Sequence, residues 1–100
     1  MIHHIVMWKL KDFAEGKGKK ENAILIKEKL ENLKSIIPNI VELRVGLNLE
    51  DVPANFDVAL HSLFENMDDL NFYQKHKDHE AVANWIGKIR ETRTCVDYEY

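Results

Sequence analysis

A single cysteine among 100 residues leaves Cys95 without a partner in the chain, which excludes the internal disulfide framework of small secreted domains. With 14 basic against 17 acidic residues the net charge is −3. No basic stripe interrupts that balance, so the electrostatic footprint of a polynucleotide binder is missing. No run approaches the roughly 18 apolar residues that a spanning helix needs. The stretch from Met1 to Lys11 lacks the cationic start and long apolar run of a signal peptide. Repeats and low-complexity tracts are also absent. The expectation is a cytoplasmic protein with neither nucleic acid nor membrane as partner, and with room for one domain over residues 1–100. A domain of this size buries about 65% of its unfolded surface, a modest core that a partner chain would supplement.

What is there is periodic. Ile2 to Lys11 carries apolar residues on both alternating sets, Ile2, Val6, Trp8 and Leu10 on one and Ile5 and Met7 on the other. That is a strand covered on both faces. Asp12 to Lys20 reads as a solvated turn. Ala23, Ile26, Leu30, Leu33 and Ile37 then recur at helical spacing up to Pro38, opposite an acidic and lysine-rich solvated face. Ile40 to Leu49 alternates as a second strand, and Phe56, Val58, Leu60 and Phe64 mark a third. The short connection through Pro53 makes the pair an antiparallel hairpin. Asn66 with Asp69 resembles a capping pair for a helix through Leu70 and Tyr73. Asp78 can cap a further helix bearing Val82, Ile86 and Ile89, and Arg93 to Tyr100 closes the chain as a strand.

Strand, helix, strand, strand, broken helix, strand is the α+β, ferredoxin-like order, with a four-stranded antiparallel sheet under one layer of helices. Helices in that arrangement cover one sheet face only. The apolar residues on the other face therefore predict a face-to-face homodimer.

The opening IHHIVMWKLKD, the segment IPNIVELRVG, the stretch FDVALHSLFENMDDLNFYQKHKDH and the closing VDYEY together resemble the stress-responsive α/β barrel domain family, a branch of the dimeric α+β barrels. The most specific element is Tyr-x-x-His-x-x-His at Tyr73, His76 and His79. The resemblance implies subunits paired sheet to sheet into an eight-stranded barrel, with a pocket between sheet and helices. It also implies a parallel with plant polyketide cyclases of the family, which close a ring by aldol condensation. Their acid/base histidine and tyrosine fall on His79 and Tyr73, and a supporting first-strand histidine falls on His4. Two positions differ from the cyclase pattern: Lys77 stands where a proline is usual, and Val58 aligns with a third-strand histidine.

The residues themselves support part of this. Counting back from Val82, Ile86 and Ile89 puts His79 on the buried stripe in the first helical turn, where the helix dipole disfavours a charged imidazole. A neutral imidazole can take a proton, and Tyr73 could hold the developing enolate oxygen. The plainer alternative has His79 bonded to a backbone carbonyl and Tyr73 packing its ring with the hydroxyl exposed. His76, at the end of the preceding helix, needs no ligand to explain it. His3 and His4 point to opposite faces of their strand and cannot chelate one ion together. His4 shares its face with Val6 and Trp8, and His61 falls on the opposite, dimer side.

His4, Trp8, Val58, His76 and Trp85 are the candidate ligand-binding residues. Phe72, Tyr98 and Cys95 read as core or pocket wall. His76, His79 and Glu80 offer donors but no defined metal geometry, so no metal or cofactor is assigned. Three functions stay open: a dimeric domain binding a small apolar or polyketide-like ligand, an acid/base enzyme built on His79 and Tyr73, and a haem or metal binder.

Overall fold

The alternation at the start of the chain becomes β1 (Ile2–Leu10), and the ladder extends from it on both sides. The computed structural model describes all residues, Met1–Tyr100. After β1 comes a two-residue hairpin, β2 (Phe13–Ala14) and β3 (Lys17–Gly18), and then α1 (Lys19–Asn32) with a 3-10 turn at Leu33–Ser35. Next are β4 (Glu42–Leu47), β5 (Val58–Phe64), α2 (Met67–Lys75), α3 (Lys77–Ile89) and β6 (Arg90–Glu99). The main sheet has the order β4-β5-β1-β6, every neighbouring pair antiparallel. This is the expected ferredoxin-like topology. The segment read as a solvated turn is the β2–β3 hairpin, closed by Glu15 and Gly16 at φ 52° and 78°. Two successive positive φ values match the right-handed twist of a tight hairpin.

The pleat sorts side chains strictly. Ile2, His4, Val6, Trp8 and Leu10 of β1, Leu43 and Val45 of β4, and Val58, Leu60, Ser62 and Phe64 of β5 are buried under the helices. Ala23, Ile26 and Leu30 of α1, Leu70 and Tyr73 of α2, and Ile86 and Ile89 of α3 meet them. Truncating one of the central aromatics, such as Phe64, would cost on the order of 3–5 kcal/mol. The second strand is shorter than its alternation suggests: Val41 and Leu49 lie outside β4, and Leu49 is 98% exposed. The solvated face of α1 also has an exception. Lys27 Nζ donates to the Val45 carbonyl at 2.8 Å and to Glu31 at 2.9 Å, while the Glu31 carboxylate accepts from Val45 N at 3.2 Å. The Lys27 bond holds the Glu31 carboxyl below its usual range. The pair staples α1 to the edge strand β4.

The other face of the sheet carries His3, Ile5 and Met7 of β1, Ala59, His61 and Leu63 of β5, and Val96 and Tyr98 of β6. No helix covers it. Met7, Val96 and Tyr98 are exposed, and His3 stacks between His61 and Tyr98 with ring centroids 5.2 and 4.8 Å away.

Candidate functional site

The helices reach across β4, β5 and β1 but stop short of the edge strand, where every residue of β6 after Arg90 is exposed. Cys95 is therefore not a core residue. It faces the helix side, opposite Val6 in register, but lies beyond the helical cover. The gap this leaves is a cavity of about 350 Å³ over β1, bounded by α1, α3 and β6. Val6, Trp8, Leu30, Leu60 and Ile86 give it an apolar lining, and His4, His79, Arg90 and Arg93 bring polar groups to it.

His79 reaches the cavity from the first turn of α3. That helix begins after His76, an extended residue (φ −63°, ψ 135°) that ends α2 and caps α3. The cap is the imidazole itself, whose Nδ1 accepts from Asp78 N at 3.1 Å. Asp78, the expected cap, is instead the second residue of the helix. His79 Nδ1 donates to the Gln74 carbonyl at 3.1 Å, which fixes the tautomer and leaves Nε2 with its lone pair free. Burial pushes the His79 pKa below its ordinary value, partly opposed by that carbonyl bond. A neutral, oriented imidazole at a cavity wall is a competent proton acceptor.

Tyr73 is turned inward, with no exposed surface, and its ring lies 4.4 Å from that of His79 and 6.2 Å from that of His4, centroid to centroid. Its hydroxyl is buried with no hydrogen-bond partner, and burial raises its pKa well above the ordinary phenol value, with Arg93 opposing. The two sequence alternatives are thus each half realised. His79 does bond a backbone carbonyl, yet Tyr73 packs against it rather than turning to solvent.

Of the other candidates, His4 and Trp8 line the cavity, and His4 Nδ1 bonds Asp97 Oδ1 at 2.5 Å. Val58, Trp85 and His76 are not among its lining residues. Val58 is buried beside Trp8 in the β1–β5 register. Trp85 is partly buried against the core, with Lys29 Nζ of α1 4.9 Å over its ring. Phe72 is 52% exposed on the outer side of α2, since the helix is one turn from its end and turns that side to solvent, and Tyr98 lies on the uncovered sheet face.

Arg90 and Arg93 are the charged lining residues that the sequence reading missed. Neither guanidinium is in an ion pair with a carboxylate. A signal was present in the alternation of the last strand, where Arg93, Cys95 and Asp97 share one face with His4, Val6 and Trp8 of β1. Reading them as a polar wall required knowing that β6 pairs with β1.

This geometry can be set beside known proteins. The stress responsive A/B barrel domain family model matches residues 2–100. The chain belongs to this family. An uncharacterized protein of Streptomyces coelicolor is 35% identical over 106 residues, covering 100% of both chains. Among solved structures, a dimeric protein of unknown function with a ferredoxin-like fold from Bacteroides fragilis is 34% identical, with TM-score 0.82 over 99% of this A/B barrel chain and 95% of that one. The hydroxynitrile lyase of Passiflora edulis has TM-score 0.79 over 97% of this chain and 90% of that one, at 22% identity, a likeness of fold alone. Family membership leaves the chemistry of this A/B barrel protein unassigned.

Proposed function

We propose that this A/B barrel protein is a homodimer whose cavity between sheet and helices binds a small, largely apolar molecule carrying an anionic oxygen or an enolisable carbonyl. The observation that carries the proposal is the lining of the cavity, with an apolar floor under His79 Nε2 and two unpaired guanidiniums. Its volume of about 350 Å³ is at the small end of ligand pockets. Apolar contacts would supply affinity there, while Arg90 and Arg93 would select for negative charge. The uncovered sheet face supports the dimer, as does the Bacteroides fragilis relative, which is described as dimeric.

The test is a thermal-shift screen of the wild type and His79→Ala against lactones, β-dicarbonyl compounds, fatty acids and haem. Stabilisation by one acidic or enolisable class, lost in the variant, is the expected result. A screen in which no compound shifts the wild type removes the ligand site.

A more specific reading of the same site is acid/base catalysis, favoured by the orphaned Tyr73 hydroxyl beside a histidine held neutral. His79 Nε2 would take a proton from carbon next to a carbonyl, as ring closure of aldol type requires. The resulting enolate would be stabilised by the arginines, whereas Tyr73, fully buried and not a lining residue, would reach it with its hydroxyl only if the cavity wall rearranged. His4, clamped by Asp97, would hold Tyr73 from the other side. Solvent deuterium exchange into a bound β-dicarbonyl, followed by NMR, tests this step. Exchange no faster with wild type than with His79→Gln would exclude His79 as the base.

A further inference from the structure

The β1–β6 register places His4 opposite Asp97, and the pleat puts Cys95 two residues away on the same face. The three side chains converge. His4 Nδ1 and Asp97 Oδ1 are 2.5 Å apart, and Cys95 Sγ is 3.8 Å from each. From these contacts we infer that His4, Cys95 and Asp97 form a binding site for a divalent transition-metal ion of the zinc type, at the edge of the cavity.

Geometry supports this first. Ligands around tetrahedral zinc, at bond lengths of about 2.0–2.3 Å, stand roughly 3.3–3.6 Å from one another. Two edges of the triangle are already close to that span. The third opens by a rotation of the Asp97 side chain on the edge strand, which exchanges its bond to His4 for a bond to the ion. His4 is the fixed member, 2% exposed and held in the core, while Cys95 and Asp97 face the solvent through which an ion would arrive. Deep anchor and open flank together leave a fourth position for water or a ligand oxygen, as in zinc sites that are not purely structural.

Donor chemistry selects the ion. One thiolate, one imidazole and one carboxylate suit zinc, cobalt or nickel and not the hard, all-oxygen preference of magnesium or calcium. On binding, the Cys95 thiol gives its proton to solvent, and the proton that His4 Nδ1 donates to Asp97 passes by way of solvent to Nε2, which frees the Nδ1 lone pair for the ion. Thiolate and carboxylate then balance the charge of the ion. Arg93 is the opposing group, since its guanidinium lies beside the thiol. It also lines the cavity, so a bound anion would shield it.

The uncovered sheet face is the opposite side of the pleat, so a sheet-to-sheet dimer leaves these donors free. The inference is independent of whether His79 is a base. It also differs from the donors nominated along the sequence, since His76, His79 and Glu80 do not converge as His4, Cys95 and Asp97 do.

The experiment is titration of the fully reduced, metal-free protein with Co²⁺, read by absorption. One equivalent should bring up a near-ultraviolet thiolate-to-cobalt band together with visible bands of four-coordinate cobalt, and Zn²⁺ should bleach both. Cys95→Ser should lose the thiolate band, and Asp97→Asn should weaken binding by at least about 10-fold. Circular dichroism on each variant checks folding, and Cys95, being exposed, can be replaced without disturbing the core. Absence of the band in the wild type, or its survival in Cys95→Ser, overturns the site. Cobalt bound without any thiolate band overturns it equally, pointing to imidazoles elsewhere, such as His3 and His61 3.0 Å apart.

Discussion

The rings of Tyr73 and His79 lie 4.4 Å apart and tilted by 52°, yet no hydrogen bond joins them, and the Tyr73 hydroxyl is buried without a partner. An unsatisfied buried hydroxyl costs about 1–3 kcal/mol. Tyr73→Phe deletes that group and keeps the ring, so the variant should be as stable as the wild type or more so in chemical denaturation. If the hydroxyl contacts a ligand oxygen, the same change should lower affinity by a factor of about 5–10, the worth of one hydrogen bond. Stability gained with affinity unchanged would make Tyr73 a packing residue only.

His79 makes stability depend on pH in a definite direction. Burial depresses its pKa in the folded chain below the ordinary 6.5. Below pH 6.5 the unfolded chain therefore binds the proton more readily than the folded one. The stability that neutral His79 contributes is complete above pH 6.5 and is lost as pH falls through the folded pKa. Melting temperature should thus drop more steeply between pH 7 and pH 5 in the wild type than in His79→Gln. Parallel curves for the two proteins would show that burial of His79 does not perturb it.

The junction of α2 and α3 tests a local rule. His76 Nδ1 caps α3 at Asp78 N, so His76→Ala should cost about 0.5–2 kcal/mol, and His76→Asn should recover most of it. Lys77 is the first residue of α3, where a proline's missing N–H and fixed φ are tolerated. His76 at ψ 135° already has the extended conformation that precedes proline. Lys77→Pro should therefore stabilise by about 0.4–1 kcal/mol through the unfolded state. Loss of stability in that variant would mean the helix starts elsewhere in solution.

That junction also shows how far the sequence could be read. Periodicity reported which residues face the core, so the fold, the break in the last helix and the Asn66 cap, where Asp69 N donates to Oδ1 at 2.8 Å, were all legible. It could not report lateral position in the sheet. Cys95 read as core because its strand looked like the others, and only the strand order shows it on an edge that no helix reaches. The same gap hid Arg90 and Arg93. His4 was assigned to the right face, but its partner Asp97 is 93 residues away and could be found only through the β1–β6 register. Phe72 was misplaced because an aromatic in a short amphipathic helix can sit one position off the buried stripe. Local pattern determines which way a side chain points, whereas the site depends on which strands are neighbours.

The uncovered face gives the last prediction. Ile5 at the centre of β1 is flanked in register by His61 of β5 and Val96 of β6, and Val96 is 53% exposed. With Met7 and Tyr98 alongside, this is an apolar strip across the middle of the sheet, which a second copy would bury by two-fold pairing. Val96→Glu places a carboxylate in that strip and, by symmetry, another on the partner, each desolvated and unpaired. In a lone chain the same residue is exposed, so the change should leave its folding almost untouched. Sedimentation equilibrium should find twice the chain mass for the wild type and the single-chain mass for Val96→Glu, with matching circular dichroism. A wild type that sediments as a single chain at all concentrations would mean that the strip is not a self-association surface.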